Sequence, residues 1–268
     1  MRGAIAISYV LAALYAVLGA CLFAAPHWAA GQFAWKVSPL VTMTIGGWCL
    51  GNMCAAFLVA HRRLVAEVRS VALYVVLFGI LESAVVWSFR GLLQLHARPL
   101  AWLYLAALVL SWALAAMLLS GWTNLSRRNE LTAPQRSAVD TVLAALFIIV
   151  VAFLGLYGLF VPPGGRGLNG TVFPEVLTFF SLRSFGAFYL SLALATVPVL
   201  LSGRRSDFLS HSFGLDGLIV FITIAAAAFP EVWHFDQHRL QLLYPGLYLL
   251  VGFGTAIYLV RYGTGTRR

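Results

Sequence analysis

Residues 140–161 read DTVLAALFIIVVAFLGLYGLFV, a run whose only charge, Asp140, stands at its leading edge. A helix needs about 20 mostly apolar residues to cross the hydrocarbon of a bilayer. Backbone groups in hydrocarbon must find their partners inside the segment, so such a run reads as a transmembrane helix. Seven similar runs lie on either side of it, at 4–24, 39–60, 68–89, 99–120, 174–201, 213–230 and 241–261. None alternates polar and apolar residues as a lipid-facing β-strand does. The whole chain is 61% hydrophobic and 10% charged, against about 25% charged residues in a soluble domain. The expected fold class is all-α: a polytopic membrane protein with eight transmembrane helices.

The runs form two sets of four. Trp87-Ser88-Phe89 recurs as Trp233-His234-Phe235, at an offset of roughly 140 residues. Phe23-Ala24-Ala25-Pro26 answers to Phe160-Val161-Pro162-Pro163, His61-Arg62-Arg63 to Gly203-Arg204-Arg205, and Tyr104 to Tyr248. A repeat of this kind sets architecture before it sets function. The expected organisation is a first four-span repeat over 1–122, a cytoplasmic linker over 123–138 and a second four-span repeat over 139–268. Four crossings return the chain to its starting side, so the repeats are parallel and related by an axis along the membrane normal. The linker is polar, with Asn124, Arg127, Arg128, Asn129, Glu130 and Pro134, and Thr132 is the expected N-cap of the fifth span.

The net charge of +9 reports orientation. With the N-terminus in the cytoplasm, the cytoplasmic segments hold Arg2, Arg62, Arg63, Arg69, Arg127, Arg128, Arg136, Arg204, Arg205, Arg261, Arg267 and Arg268. The other side holds Lys36, Arg90, Arg98, Arg166 and Arg239. The positive-inside rule then places both termini in the cytoplasm. Because the arginines sit in short loops, no nucleic-acid partner is expected. Seventeen arginines to one lysine, with much Ala and Leu, point to a GC-rich bacterium and its cytoplasmic (inner) membrane. Leu18-Gly19-Ala20-Cys21 resembles a lipoprotein cleavage box, but the first span has a counterpart in the fifth, which favours its retention. Cys21, Cys49 and Cys54 all fall in spans without metal-ligand spacing and read as small apolar filler.

Charges within spans are the leading site candidates, since leaving one unpaired in the membrane is costly. Glu82 in the third span and Arg183 in the sixth lie at matching depth, roughly 10–13 Å below the outer surface at about 1.5 Å per residue. That depth predicts a pair bridging the two halves, either a structural ion pair or a substrate site. Asn52 adds an amide that can hydrogen-bond across helices. The aromatics Trp28, Trp35, Trp87, Phe89, Trp102, Trp233, Phe235 and Tyr244 read as an interfacial belt, with Trp28, Phe33, Trp35 and Lys36 on a short helix at the headgroups. The alternative has Trp87, Phe89, Trp233 and Phe235 lining a substrate site. The 162–171 segment, rich in glycine, has no phosphate-loop ending. Gly47 and Gly51, with Gly46 and Gly186 nearby in kind, suit close helix packing or a groove. Pro198 and Pro230 are candidate kinks.

In the last outer loop His234 and His238 are four apart. With Glu231 and Asp236 they would offer Zn²⁺ or Cu²⁺ ligands if the loop were helical. No histidine is expected in mid-span, so no haem is, and no cofactor is expected. No serine-hydrolase, zincin, prenyl-pyrophosphate or Walker sequence is present, which argues against an enzyme. The function expected is a carrier or binder of a small or lipid-like substrate in a cavity between the repeats. The first alternative is a non-catalytic subunit or assembly factor of a membrane complex. The second is an integral-membrane lipid or isoprenoid enzyme using Glu82 as an acid. Expected partners are membrane lipids, with other membrane subunits or a homodimer.

Overall fold

The structure, a computed structural model, describes residues 2–61, 68–121, 136–162 and 168–263. Its elements are all helices: α1 (Arg2–Ala24), α2 (Pro26–Ala30), α3 (Pro39–His61), α4 (Arg69–Ser88), α5 (Pro99–Gly121), α6 (Ala138–Phe160), α7 (Phe179–Ser202), α8 (Arg205–Ala227) and α9 (Leu243–Gly263). Short 3₁₀ turns follow at Arg90–Leu92, Pro230–Val232 and Arg239–Leu242. All but α2 are long and apolar enough to cross a membrane, eight in total, as a multi-pass membrane protein requires. Linker residues 123–135, with Thr132, and Arg62, Arg63, Arg166, Arg267 and Arg268 of the charge pattern lie outside the described residues.

Three helix starts differ from expectation, each for a local reason. At α6 the cap is Ser137: its hydroxyl accepts from the Asp140 N–H while the Asp140 carboxylate accepts from the Ser137 N–H, a capping box. α7 starts at Phe179, five residues after the expected 174, because Thr178 caps it by accepting from the Ser181 N–H. α8 starts at Arg205, well before 213, and includes Asp207, His211 and Asp216. Its polar first turns look like loop by hydropathy. Packing absorbs them, since buried His211 meets Thr196 of α7 at 2.9 Å between Nε2 and Oγ1. α8 thus carries His211 in its second turn, ahead of the expected start at 213.

α3 and α7 are the most enclosed spans, α6 and α9 the least. α1 lies along α3 and α6 along α7. α3 also packs on α8, and α7 on α4, so each central helix contacts helices from both halves of the chain. Missing side chains set these approaches. A Cβ on Gly46 would stand 2.7 Å from the Phe23 nitrogen on α1, and one on Gly186 would stand 2.6 Å from the Leu159 nitrogen on α6. Gly47 and Gly51 face α8, where a Cβ on Gly51 would meet Leu218 Cδ2 at 2.3 Å. That glycine pair is packing, and no groove opens there. α6 exposes Leu146, Ile149, Phe153 and Phe160, and α9 exposes Leu250, Phe253, Ile257 and Val260, faces suited to lipid.

The segments before α3 and α7 follow the same course. Residues 31–40 and 171–180 run through turn, bend, irregular backbone and helix start in identical order. Ser38 and Thr178 hold equivalent places: Val41 N–H donates to Ser38 Oγ at 3.2 Å and Ser181 N–H to Thr178 Oγ1 at 3.2 Å. The two W-x-F elements do not correspond in this way. Trp87 belongs to the last turn of α4, whereas Trp233 follows a 3₁₀ turn beyond the end of α8.

Candidate functional site

Trp35 is not an interfacial anchor. It is 2% exposed, and its ring stacks on Phe180 of α7 with centroids 4.1 Å apart. Its Nε1–H donates to Ser181 Oγ at 3.0 Å. Phe33 and Tyr104 close on it edge-on at 4.5 and 5.7 Å. Of the expected belt, Trp28, Trp87 and Trp102 remain exposed, while Trp35 and Tyr244 are buried. An indole can go inside here because Ser181 supplies the acceptor that its N–H needs.

Below this aromatic layer lies Glu82, fully buried. Its Oε1 accepts from the Tyr104 hydroxyl of α5 at 2.7 Å and from the Ser184 hydroxyl of α7 at 2.8 Å. Its Oε2 has no hydrogen-bond partner among the described residues. The expected Glu82–Arg183 pair is not formed. Arg183 precedes Ser184 by one residue, about 100° around the helix, so it faces α6. There it donates to the Gly158 and Val161 carbonyls, both at 2.7 Å, with its guanidinium 4.1 Å from the Phe179 ring centre. It satisfies the last carbonyls of α6, where a cation is favoured by the helix dipole. At the opposite end of the bundle Arg136 does the same for α7, donating to the Val199 and Leu200 carbonyls at 2.9 and 3.0 Å.

Asn52 hydrogen-bonds across helices, accepting at Oδ1 from the Tyr74 hydroxyl of α4 at 2.7 Å. Asn52 Nδ2, the Tyr15 hydroxyl and Trp48 Nε1 are buried with no partner among the described residues. Tyr15 sits in the electrostatic neighbourhood of Cys49, Asn52, Glu82 and Ser111. The first half thus encloses a polar core spread over α1, α3, α4 and α5.

A cleft opens near Trp233. It is lined by Leu40, Val41 and Thr44 of α3, by Phe173, Pro174, Glu175, Leu177 and Phe185, and by Trp233 and Tyr244, around a cavity of about 20 Å³. A buried Asn169 pins the loop that carries Glu175: the Leu177 N–H donates to its Oδ1 at 2.8 Å and its Nδ2 donates to the Leu177 carbonyl at 3.2 Å. Gly170, at φ +82°, makes the turn into this loop. The Ser38 hydroxyl donates to Glu175 Oε2, joining the start of α3 to the second half. No lysine or arginine pairs with Glu175 among the described residues.

The sequence-derived candidates therefore separate. Trp233 lines the cleft, donates from Nε1 to the Ala226 carbonyl at 2.9 Å and stacks on Phe235, which lies outside. Phe89 stacks on Phe180 at 5.0 Å, away from the cleft lining. Trp87 is 70% exposed, and the Arg90 guanidinium lies 4.8 Å from its ring centre. Glu82, Arg183 and Asn52 lie outside the cleft lining. His234, His238, Glu231 and Asp236 are exposed, and no group of three His, Cys, Asp or Glu gathers among the described residues. The 234–238 segment is a single turn, closed by the His238 N–H donating to the His234 carbonyl at 2.7 Å.

Sequence reasoning passed over Glu175, Ser184, Arg136, His211 and Asp216, whose carboxylate accepts from the Thr255 hydroxyl at 2.7 Å. For Glu175 a signal existed: a carboxylate is costly in a span interior, so an acid at 175 argues that the span begins beyond it. Comparison with protein-family models, with curated proteins and with solved structures gives no match.

Proposed function

We propose that this chain is a protein of a bacterial inner membrane, built of two parallel four-span repeats with cytoplasmic termini. It binds a small lipid-like molecule between the repeats, at the non-cytoplasmic face. The duplication draws support from the reciprocal pairing of α3 with α8 and α7 with α4. It draws further support from the matched caps Ser38 and Thr178. The orientation rests on the arginine distribution.

The observation that carries the reading is the cleft. Both halves line it, its walls are aromatic and aliphatic, and Glu175 places one carboxylate among them. Apolar walls with a few convergent polar groups are the usual make-up of a small-molecule site. An amphiphile entering from the outer leaflet would set only its polar end in the cleft, at Glu175, with its apolar part at the mouth beside Leu40 and Val41. The test is photolabelling in nanodiscs with a diazirine-bearing single-chain lipid, followed by peptide mapping. Label concentrated at 40–44 and 173–185, and competed away by unlabelled lipid, is the expected result. Label spread only over the outer faces of α6 and α9 would refute binding in the cleft.

A second reading, a subunit of a larger membrane complex, has one observation in its favour. α1 packs on both α3 and α5, whereas α6 packs chiefly on α7 and leaves its remaining faces uncovered. Extraction in mild detergent with a stoichiometric partner seated on α6 would favour it.

A further inference from the structure

We propose that the cleft selects a primary ammonium group, carried by a lipid headgroup or a free amine, over trimethylammonium, neutral and anionic groups. This rests on the cleft being a binding site, as argued above. Its hydrogen-bonding character comes first. Trp233 spends its N–H on the Ala226 carbonyl, and Thr44 spends its hydroxyl proton on the Leu40 carbonyl at 2.9 Å. Glu175, held at Oε2 by Ser38, can only accept when ionised. The Glu175 carboxylate is thus an acceptor at the site, and the Trp233 and Thr44 donors are already used. A phosphate or carboxylate would meet a like charge there, whereas an ammonium brings three donors.

The rings point the same way. Phe173 lies 5.7 Å from Phe185 and 5.8 Å from Tyr244, and Trp233 lies 5.9 Å from Tyr244. Four aromatic rings share the cleft lining with one carboxylate, and an aromatic face attracts a cation. Size then separates the cations. A cavity of about 20 Å³ holds one water-sized group. An –NH₃⁺ group is of that size, and a trimethylammonium group is several times larger.

The other half shows how the space arises. Position 175 corresponds to position 35 in the matched segments 171–180 and 31–40. There the indole of Trp35 reaches across and stacks on Phe180. Glu175 also reaches across, to Ser38, but brings a side chain far smaller than an indole. The space that Trp35 fills in one half is left open in the other, with a carboxylate at its edge.

The test uses the full chain in maltoside detergent. Binding of lysophosphatidylethanolamine, lysophosphatidylcholine and lysophosphatidylglycerol is followed by native mass spectrometry, with free ethanolamine as competitor, for wild type, Glu175→Gln and Glu175→Lys. The expected result is a preference for the ethanolamine headgroup of about tenfold or more, lost in Glu175→Gln and turned toward the glycerol headgroup in Glu175→Lys. Competition by free ethanolamine at matching concentration would identify a soluble amine as the source. Its failure would identify the lipid headgroup. Equal binding of all three lipids, or a preference that survives Glu175→Gln, would overturn ammonium selection and leave cleft binding standing. No binding of any lipid or amine would overturn both.

Discussion

Replacing Trp35 by Ala tests the central structural claim, that an indole from the first half is locked into the second. Three contributions can be separated. The hydrogen bond to Ser181, at 3.0 Å, is worth about 0.5–1.5 kcal/mol net. The stacked contact with Phe180 and the edge contacts with Phe33 and Tyr104 add about 0.5–1.5 kcal/mol for each well-formed pair. The third is the void left behind, which strips its lining of dispersion partners. In lipid, water offers little drive between helices, so packing and hydrogen bonding carry most of the effect. The first two contributions together come to about 2–6 kcal/mol, a span that brackets the loss of about 3–5 kcal/mol seen when a buried Trp or Phe is cut to Ala. The assay is reversible unfolding in mixed micelles by dodecyl sulfate, read by circular dichroism, with Trp28→Ala as an exposed control. Added indole, which fits the vacated space, should restore part of the loss in Trp35→Ala and do nothing in the control. A loss below about 1 kcal/mol, equal to the control, would refute the burial of Trp35 between the halves.

Three further outcomes follow from the same packing. Gly51→Val places carbon where Leu218 already stands, with the first Cβ contact at 2.3 Å. It should cost about 1–3 kcal/mol in the same unfolding assay, and an unchanged midpoint would mean that α3 and α8 do not meet there. Glu82→Leu leaves the Tyr104 and Ser184 hydroxyls without their acceptor, for a loss of about 1–3 kcal/mol, whereas Glu82→Gln retains an oxygen and should lose less. Equal losses in the two variants would count against hydrogen bonding as the role of Glu82. Arg183→Met uncovers the Gly158 and Val161 carbonyls and should lower stability by about 1–3 kcal/mol without changing ligand binding at the cleft. A loss of binding with stability intact would return Arg183 to the site.

The eight helices were legible from composition and run length, because hydrocarbon tolerates few charges and requires backbone groups to be satisfied within a segment. Helix starts were less so. The capping box at Ser137 and Asp140 is a local pattern that a reader of hydropathy overlooks, and the polar start of α8 is covered only by contact with α7. That Glu82 stands level with residues 183–184 was readable. Azimuth was not, since a step of one residue turns a side chain by about 100° and sends Ser184 to Glu82 but Arg183 to α6.

The sequence by itself determined the apolar character and the number of the long helices among the described residues, since both follow from summed transfer energies along short stretches. Only the tertiary structure decided which polar groups meet. It put Trp35 inside, gave Glu82 to Tyr104 and Ser184, and brought Glu175 to a ring-lined cleft. Those pairings join residues as far apart as 146 positions, and their energies depend on direction and ångström-scale distance, which a one-dimensional pattern does not encode.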